Sequence, residues 1–268
     1  NTPRQVLIYE ALGTEVPLFA HLSMILGPDG KKLSKRHGAT NVEEYRDRGY
    51  LPDALVNFLA LLGWSPRGEQ SEQEFFTLDE LVGAFDIGGI SKSPAIFDIE
   101  KLTYFNANYL RNLPPEEFCK VAEPYIRQAV KNEAYSVGEI AALLQARCEK
   151  LTDIPEKVDF FDALPEYGVE FYTNKKSKTN AEVSKAMLEA AIPALEAVSD
   201  WTVDAIHDTL IDLAAKLEVK NATLMWPVRI AAAGKLVTPG GAVEICHLLG
   251  KDETLRRLRL GLDKLNQR

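Results

Sequence analysis

Residues 203–217 read Val203-Asp204-Ala205-Ile206-His207-Asp208-Thr209-Leu210-Ile211-Asp212-Leu213-Ala214-Ala215-Lys216-Leu217. Val203, Ile206, Leu210, Leu213 and Leu217 recur at steps of three and four. That spacing puts them on one face of a helix with 3.6 residues per turn. The same pattern extends in both directions. Downstream, Gly250 separates a helix over 241–249 from another over 252–265. Upstream, Thr77/Glu80, Ser136/Glu139 and Thr179/Glu182 each match the capping box, in which side chains satisfy orphan amide donors reciprocally. Pro193 is expected to break the run between Glu182 and Val198, because it lacks the amide that an interior turn needs.

Toward the amino terminus the pattern becomes mixed. Thr2-Pro3 starts a helix that Gly13 closes, Pro being favoured at the first helical position. Phe19 to Leu26 is short and apolar and runs into Gly27-Pro28-Asp29-Gly30, which predicts a strand entering a loop. Asn41 with Glu44 caps a short helix ended by Gly49. Pro52 begins another, with Leu55, Phe58, Leu59 and Leu62 on one face and Gly63 as its stop. Leu113-Pro114-Pro115 interrupts the pattern and marks a boundary near 111–115. The expected architecture is mainly α: a short α/β part over 1–40, a helix-rich connector over 41–112 and an all-helical remainder over 113–268. No internal repeat or low-complexity segment interrupts it.

Hydrophobic residues at 46% and charged residues at 26% are the balance of a globular protein rather than a disordered one. No apolar run reaches the roughly 20 residues that span a bilayer, so no membrane association is expected. Cys119, Cys148 and Cys246 lie far apart with no C-x-x-C pair, against a zinc site or a disulfide framework and in keeping with a reducing cytoplasm. The net charge of −8 is unevenly spread. From Lys216 to Arg268 ten basic residues face five acids, giving +5 and leaving −13 for the rest. An acidic body with a basic end suits a protein that binds a polyanion in one place; an ordinary charge fluctuation on solvated helices reads the same way.

One motif carries chemistry. Lys32-Leu33-Ser34-Lys35-Arg36-His37-Gly38-Ala39 follows the expected strand and precedes a helix. Two lysines three apart on a Gly-flanked loop can close over a triphosphate, where their charge matters most as negative charge moves onto the leaving pyrophosphate. Taken alone, the same residues fit an exposed charged hairpin. Lys175-Lys176-Ser177-Lys178 repeats the K-x-S-K pattern with no strand before it and reads as a solvated basic turn.

These residues resemble a known family in order and spacing. Asn1-Thr2-Pro3-Arg4-Gln5, Lys31 to Ala39, Gly49-Tyr50-Leu51-Pro52 and Leu62-Gly63-Trp64-Ser65 resemble successive landmarks of bacterial-type glutamyl-tRNA synthetases, class I enzymes. Lys92-Ser93-Pro94-Ala95-Ile96-Phe97-Asp98 and Lys101-Leu102 resemble their connector domain. Trp226-Pro227-Val228-Arg229-Ile230-Ala231 and Leu248-Leu249-Gly250-Lys251 resemble their carboxy-terminal anticodon-binding cage. The resemblance implies glutamate activation with ATP and Mg²⁺, then transfer to tRNA-Glu, by a cytoplasmic monomer without zinc in this region. It makes Lys32, Leu33, Ser34, Lys35 and Arg36 the variant KMSKS loop, with Lys35 the principal phosphate contact and Lys32 the second. It makes Arg229, Thr238 and Pro239 anticodon contacts, with Arg147 the candidate reader of the third anticodon base. A HIGH-like motif is absent: His21, His37, His207 and His247 sit in no such context. The chain opens on Asn1 rather than Met, so it is expected to be a carboxy-terminal portion, inactive alone.

Other readings differ in observable ways. Glutaminyl-tRNA synthetases carry β-barrels at their end, against the helical periodicity from Ser136 onward. The shortened glutamyl-queuosine paralogue has no anticodon domain. A non-catalytic tRNA-binding or partner-docking module would bind its target with no further half. The basic face Arg256, Arg257, Arg259 can serve a tRNA backbone or simply solvate a terminal helix.

Overall fold

The computed structural model describes residues 1–38 and 41–267, with Lys35 and Glu69 described by their backbone alone; Ala39, Thr40 and Arg268 lie outside the described residues. Among those described, helices dominate and the one sheet has two short strands. The chain divides into two compact units, one of Asn1–Arg46 with Tyr50–Phe105, the other of Asp47–Gly49 with Asn106–Arg268.

The first unit opens with α1 (Thr2–Ala11), which has Pro at its start and buries none of its residues. The apolar run over 19–26 forms far less strand than its composition predicts: β1 is Ile25–Leu26 alone. Its partner is β2 (Ala95–Ile96), parallel to it, with Ile25 opposite Ala95 and Leu26 opposite Ile96. Leu18 and Leu22 stay 94% and 75% exposed. Strand propensity is realised where a neighbouring strand accepts the ladder, and here that holds for two residues.

Then come α2 (Val42–Asp47), α3 (Pro52–Gly63) and α4 (Leu78–Ala84). Asn41 caps α2, its Oδ1 accepting the Glu44 amide at 2.8 Å. Thr77 and Glu80 form the complete capping box at α4. α3 buries Ala54, Leu55, Asn57 and Phe58, whereas Leu59 of the expected apolar face is 42% exposed. Trp64, Phe76 and Leu81 form a small core. A second runs through Tyr45, Phe97, Phe58 and Phe105, with the Phe58 and Phe97 rings 5.0 Å apart edge to face. α5 (Ile99–Asn112) crosses the division between the units after Phe105.

The second unit is helical throughout. α6 (Pro115–Ala129) follows the Leu113-Pro114-Pro115 break and packs on α7 (Val137–Gln145) and α8 (Ile154–Val158). α9 (Ala181–Glu196), α10 (Val203–Lys216), α11 (Asn221–Ala233), α12 (Ala242–Leu249) and α13 (Lys251–Asn266) pack mutually, with α9, α11 and α13 at the centre. In α10 the face that is buried is Ile206, Leu210 and Ala214, while Val203 and Leu217 lie 40% and 37% exposed at its ends.

Two sequence expectations fail here for local reasons. Pro193 lies inside α9 rather than ending it. The carbonyl it leaves unpaired belongs to Glu189, an exposed residue that water can satisfy. Buried Leu188, Ala191 and Leu195 hold the helix to the core on the other side. The cap of α9 is Asn180, whose Oδ1 accepts the Val183 amide at 2.8 Å, not Thr179. Thr179 instead pairs with Asn174 in a short antiparallel bridge.

Candidate phosphate loop and nucleic-acid site

The loop after β1 is folded onto itself. Leu33 N–H donates to Ile25 O at 3.0 Å and Gly27 N–H to Lys31 O at 2.7 Å, so residues 25–33 turn back on β1. A 3-10 turn over Lys35–His37 follows. The His37 ring is its anchor: Ser34 N–H donates to Nδ1 at 3.1 Å, and Nε2 lies 3.1 Å from Asp29 Oδ1. Arg36 Nε also donates to Nε2, at 3.3 Å. Arg36 Nη2 donates to the other Asp29 oxygen at 3.0 Å. The Lys31 amide, and behind it His37 and Arg36, hold the Asp29 carboxyl below its usual range. Gly27 is required beneath the ring, since a Cβ there would lie 2.8 Å from the His37 ring atoms. Lys32 is exposed on this framework, and Leu33 and Ser34 are half-buried. The Lys35 side chain lies outside the described residues, as does Ala39.

The second K-x-S-K copy is built differently. Lys178 has φ +53, Asn174 and Thr179 exchange both backbone bonds, and Ser177 is buried with its carbonyl accepting Thr223 Oγ1 at 2.8 Å. The serine is a docking point for α11, and the three lysines face solvent.

In the second unit the sequence candidates Arg147, Arg229, Thr238 and Pro239 come together. α11 ends at Gly234, whose φ of +64 is the left-handed stop that favours glycine. The chain then passes through 235–241 into α12. Arg229 projects from α11 into this segment: Nη1 donates to Thr238 Oγ1 at 2.7 Å and Nη2 to Leu236 O at 3.1 Å. Thr238 Oγ1 in turn donates to Gly240 O at 2.7 Å. Arg147, just past the end of α7, donates through Nη1 to Thr238 O at 3.0 Å and Pro239 O at 2.8 Å. Two guanidinium groups from distant segments thus fix one Thr-Pro turn.

Neither has an ion-pair partner among the described residues. Burial first, and then the Arg147 charge, push the Arg229 guanidinium below its usual value, with no carboxylate opposing them. Like charges gathered without a counter-charge are unfavourable unless something electron-rich is to be met there. Carbonyl and ring-nitrogen edges of unstacked bases fit that description, and an arginine fork pairs with them in a plane.

Residues 117–262 match the anticodon binding domain family, and residues 1–104 match the family of class I tRNA synthetase catalytic domains for glutamate and glutamine. The first match alone covers more than half of the chain. The glutamate–tRNA ligase of Clostridium tetani is 44% identical over 265 residues, 99% of this chain and 54% of that protein. A crystal structure of a glutamate tRNA ligase from Elizabethkingia meningosepticum, in complex with its amino acid, superposes with a TM-score of 0.79 at 28% identity. It covers 98% of this chain and 54% of that one. The glutamate–tRNA synthetase of Elizabethkingia anophelis gives 0.77 at 29%, over 97% and 54%.

The chain belongs to the anticodon binding domain family and is homologous to glutamate–tRNA ligases over its whole length.

It spans about half the length of the curated relatives it matches. The mostly helical second unit contains the whole of the anticodon binding domain match. The helical end also separates the chain from readings that end in β-barrels or lack an anticodon domain.

The basic tail is less free than its charge count implies. Arg257 is 1% exposed and donates to the carbonyls of Phe160, Ala232 and Phe161 at 2.7, 2.9 and 3.1 Å. Arg256 is bound twice to Glu253, and Arg259 is bound to Glu196. Lys251 closes the end of α9 through Glu196 O and Val198 O. The expected basic face is therefore broken up, with Arg257 inside the core. Sequence reading gave no role to Asp29 and His37, nor to Leu236, whose carbonyl anchors Arg229; an acid and a histidine flanking the lysine pair were the signal available for the first two.

Proposed function

We propose that this chain supplies the ATP-phosphate loop and the anticodon recognition of a glutamyl-tRNA synthetase, which activates glutamate with ATP and transfers it to tRNA-Glu. The observation that carries the proposal is the uncompensated Arg147–Arg229 pair clamped on the Thr238-Pro239 turn, within the residues that match an anticodon binding domain. Donors fixed in advance on rigid elements lose little order when a base arrives.

In this reading residues 1–40 end the catalytic nucleotide fold, 41–112 form the connector that meets the tRNA stem, and 113–268 form the anticodon-binding domain. Lys35 and Lys32 meet the triphosphate, and Leu33, Ser34 and Arg36 shape the loop that carries them. Arg36 is held by Asp29 and would have to share or leave that contact to reach a phosphate. No group of three His, Cys, Asp or Glu side chains among the described residues is arranged to hold a metal ion. In this reading Mg²⁺ enters as a companion of ATP, with no zinc in this region. In this reading the protein acts as a cytoplasmic monomer.

The test is nuclease footprinting of tRNA-Glu with the 268-residue chain. Protection centred on the anticodon loop is expected, and a footprint confined to other parts of the tRNA contradicts the proposal.

A further inference from the structure

Arg229 is held on a third side. Its guanidinium carbon lies 4.7 Å from the centre of the Trp226 ring, one helical turn earlier on α11. The ring is itself fixed, since Trp226 Nε1 donates to Phe171 O at 3.0 Å from the 3-10 turn Val169–Tyr172. The two hydrogen bonds from Arg229 fix where its nitrogens lie, to Thr238 Oγ1 and Leu236 O. Each bond tolerates a range of angles, so together they hold the tilt of the guanidinium plane only loosely. An aromatic face 4.7 Å from the guanidinium carbon narrows that range, and Trp is the best of the aromatic faces for a cation. Which edge of a base can pair with the fork depends on that tilt.

We infer that Trp226 is a positioning residue, setting the plane in which Arg229 meets a nucleobase. The inference rests on the reading of Arg229 as a base-reading residue given above. Trp226 acts on the base-reading group and not on phosphate contacts. Its loss therefore lowers discrimination between anticodons while leaving the salt dependence of binding, which counts phosphate contacts, unchanged.

The experiment titrates the full 268-residue chain, as wild type, Trp226→Leu and Trp226→Phe, with tRNA-Glu and with the same tRNA carrying a swapped anticodon, at two salt concentrations. Thermal melts are recorded alongside. Trp226→Leu is expected to lower the ratio of the two affinities by roughly 3- to 10-fold, the scale of a cation–π contact. Trp226→Phe keeps an aromatic face and is expected to retain the ratio within about twofold, and the salt slope stays the same in all three. A ratio that survives Trp226→Leu, whatever happens to the melting temperature, assigns the ring to packing alone and overturns the inference. Equal losses in both variants overturn it too, because the ring face would not be the agent.

Should Trp226→Leu melt below the assay temperature, proton NMR of the wild type decides. The Arg229 δ-methylene protons are expected upfield under the indole ring current, and random-coil positions overturn the inference. A wild type without any preference removes the base-reading proposal and this inference with it. A preference that Trp226→Leu leaves intact removes only this inference.

Discussion

Arg147 donates to the carbonyl oxygen of Thr238 at 3.0 Å across a separation of ninety-one residues. The bond ties the end of α7 to the segment between α11 and α12, so a change at either place is felt at the same turn. The bonded pair is polar and carries no carboxylate. Its stabilisation comes from carbonyl acceptors, which leaves the positive charge of the guanidinium outwardly uncancelled.

Two similar lysines are expected to differ in their effect on catalysis. In the full-length enzyme, Lys35→Ala is expected to lower the rate of glutamyl-adenylate formation by roughly 10²-fold or more, the scale of removing one preorganised charge stabiliser. Lys178→Ala is expected to change it little, because Lys178 sits at the exposed corner of a turn that docks through Ser177. Equal effects on ATP–pyrophosphate exchange would contradict the assignment.

A related outcome concerns these 268 residues by themselves. Their lysine pair can stabilise a departing pyrophosphate only against a site that also binds the adenosine and glutamate ends, and no HIGH-like motif occurs in this sequence. Purified, the chain is expected to show no tRNA-dependent ATP–pyrophosphate exchange. Exchange at the rate of a full-length relative would contradict it.

Stability should separate two neighbouring arginines of α13. Arg257→Ala leaves the buried carbonyls of Phe160, Phe161 and Ala232 without their donor and is expected to cost about 3–5 kcal/mol. Arg256→Ala removes a mostly exposed pair and is expected to stay within about 1 kcal/mol. Urea unfolding of the two variants checks this, and similar midpoints would contradict the burial of Arg257.

Acid sensitivity follows from the same cluster. Hydrogen bonding from Arg256, with Arg257 behind it, holds the Glu253 carboxyl down at about 2 against a partial burial that opposes it. A folded value below the unfolded one means that the contribution is fully present above about 4.5 and is lost as the pH falls toward 2. Between pH 5 and pH 3 the wild type is expected to lose more stability than Glu253→Gln. Parallel losses in both proteins would show that Glu253 is not a source of the acid response.

What could be read from sequence was local. Caps at Asn41, Thr77 and Ser136, the glycine stops and the α10 periodicity depend on residues within one or two turns. The length of β1 depends on β2, seventy residues away, and so the apolar run alone reads as a longer strand. Thr179 and Asn180 are adjacent residues with equal capping chemistry, and the short bridge to Asn174 decides between them. Arg257 reads as a surface residue because, besides Glu253 one turn before it, its partners are backbone carbonyls up to ninety-seven positions distant. The gathering of Arg147, Arg229 and the Thr-Pro turn is equally non-local, and in the sequence only family resemblance connects them.

Base reading by the second unit is the central claim, and a comparative titration tests it most directly. Wild type and Arg229→Ala are titrated with tRNA-Glu and with an anticodon-swapped tRNA, each at two salt concentrations. The wild type is expected to prefer tRNA-Glu. Arg229→Ala is expected to weaken that complex by roughly 1–3 kcal/mol and to erode the preference, as loss of a base contact does. Contacts to phosphate alone would weaken both complexes alike and flatten the salt dependence. A wild type that binds the two tRNAs equally well would contradict the account.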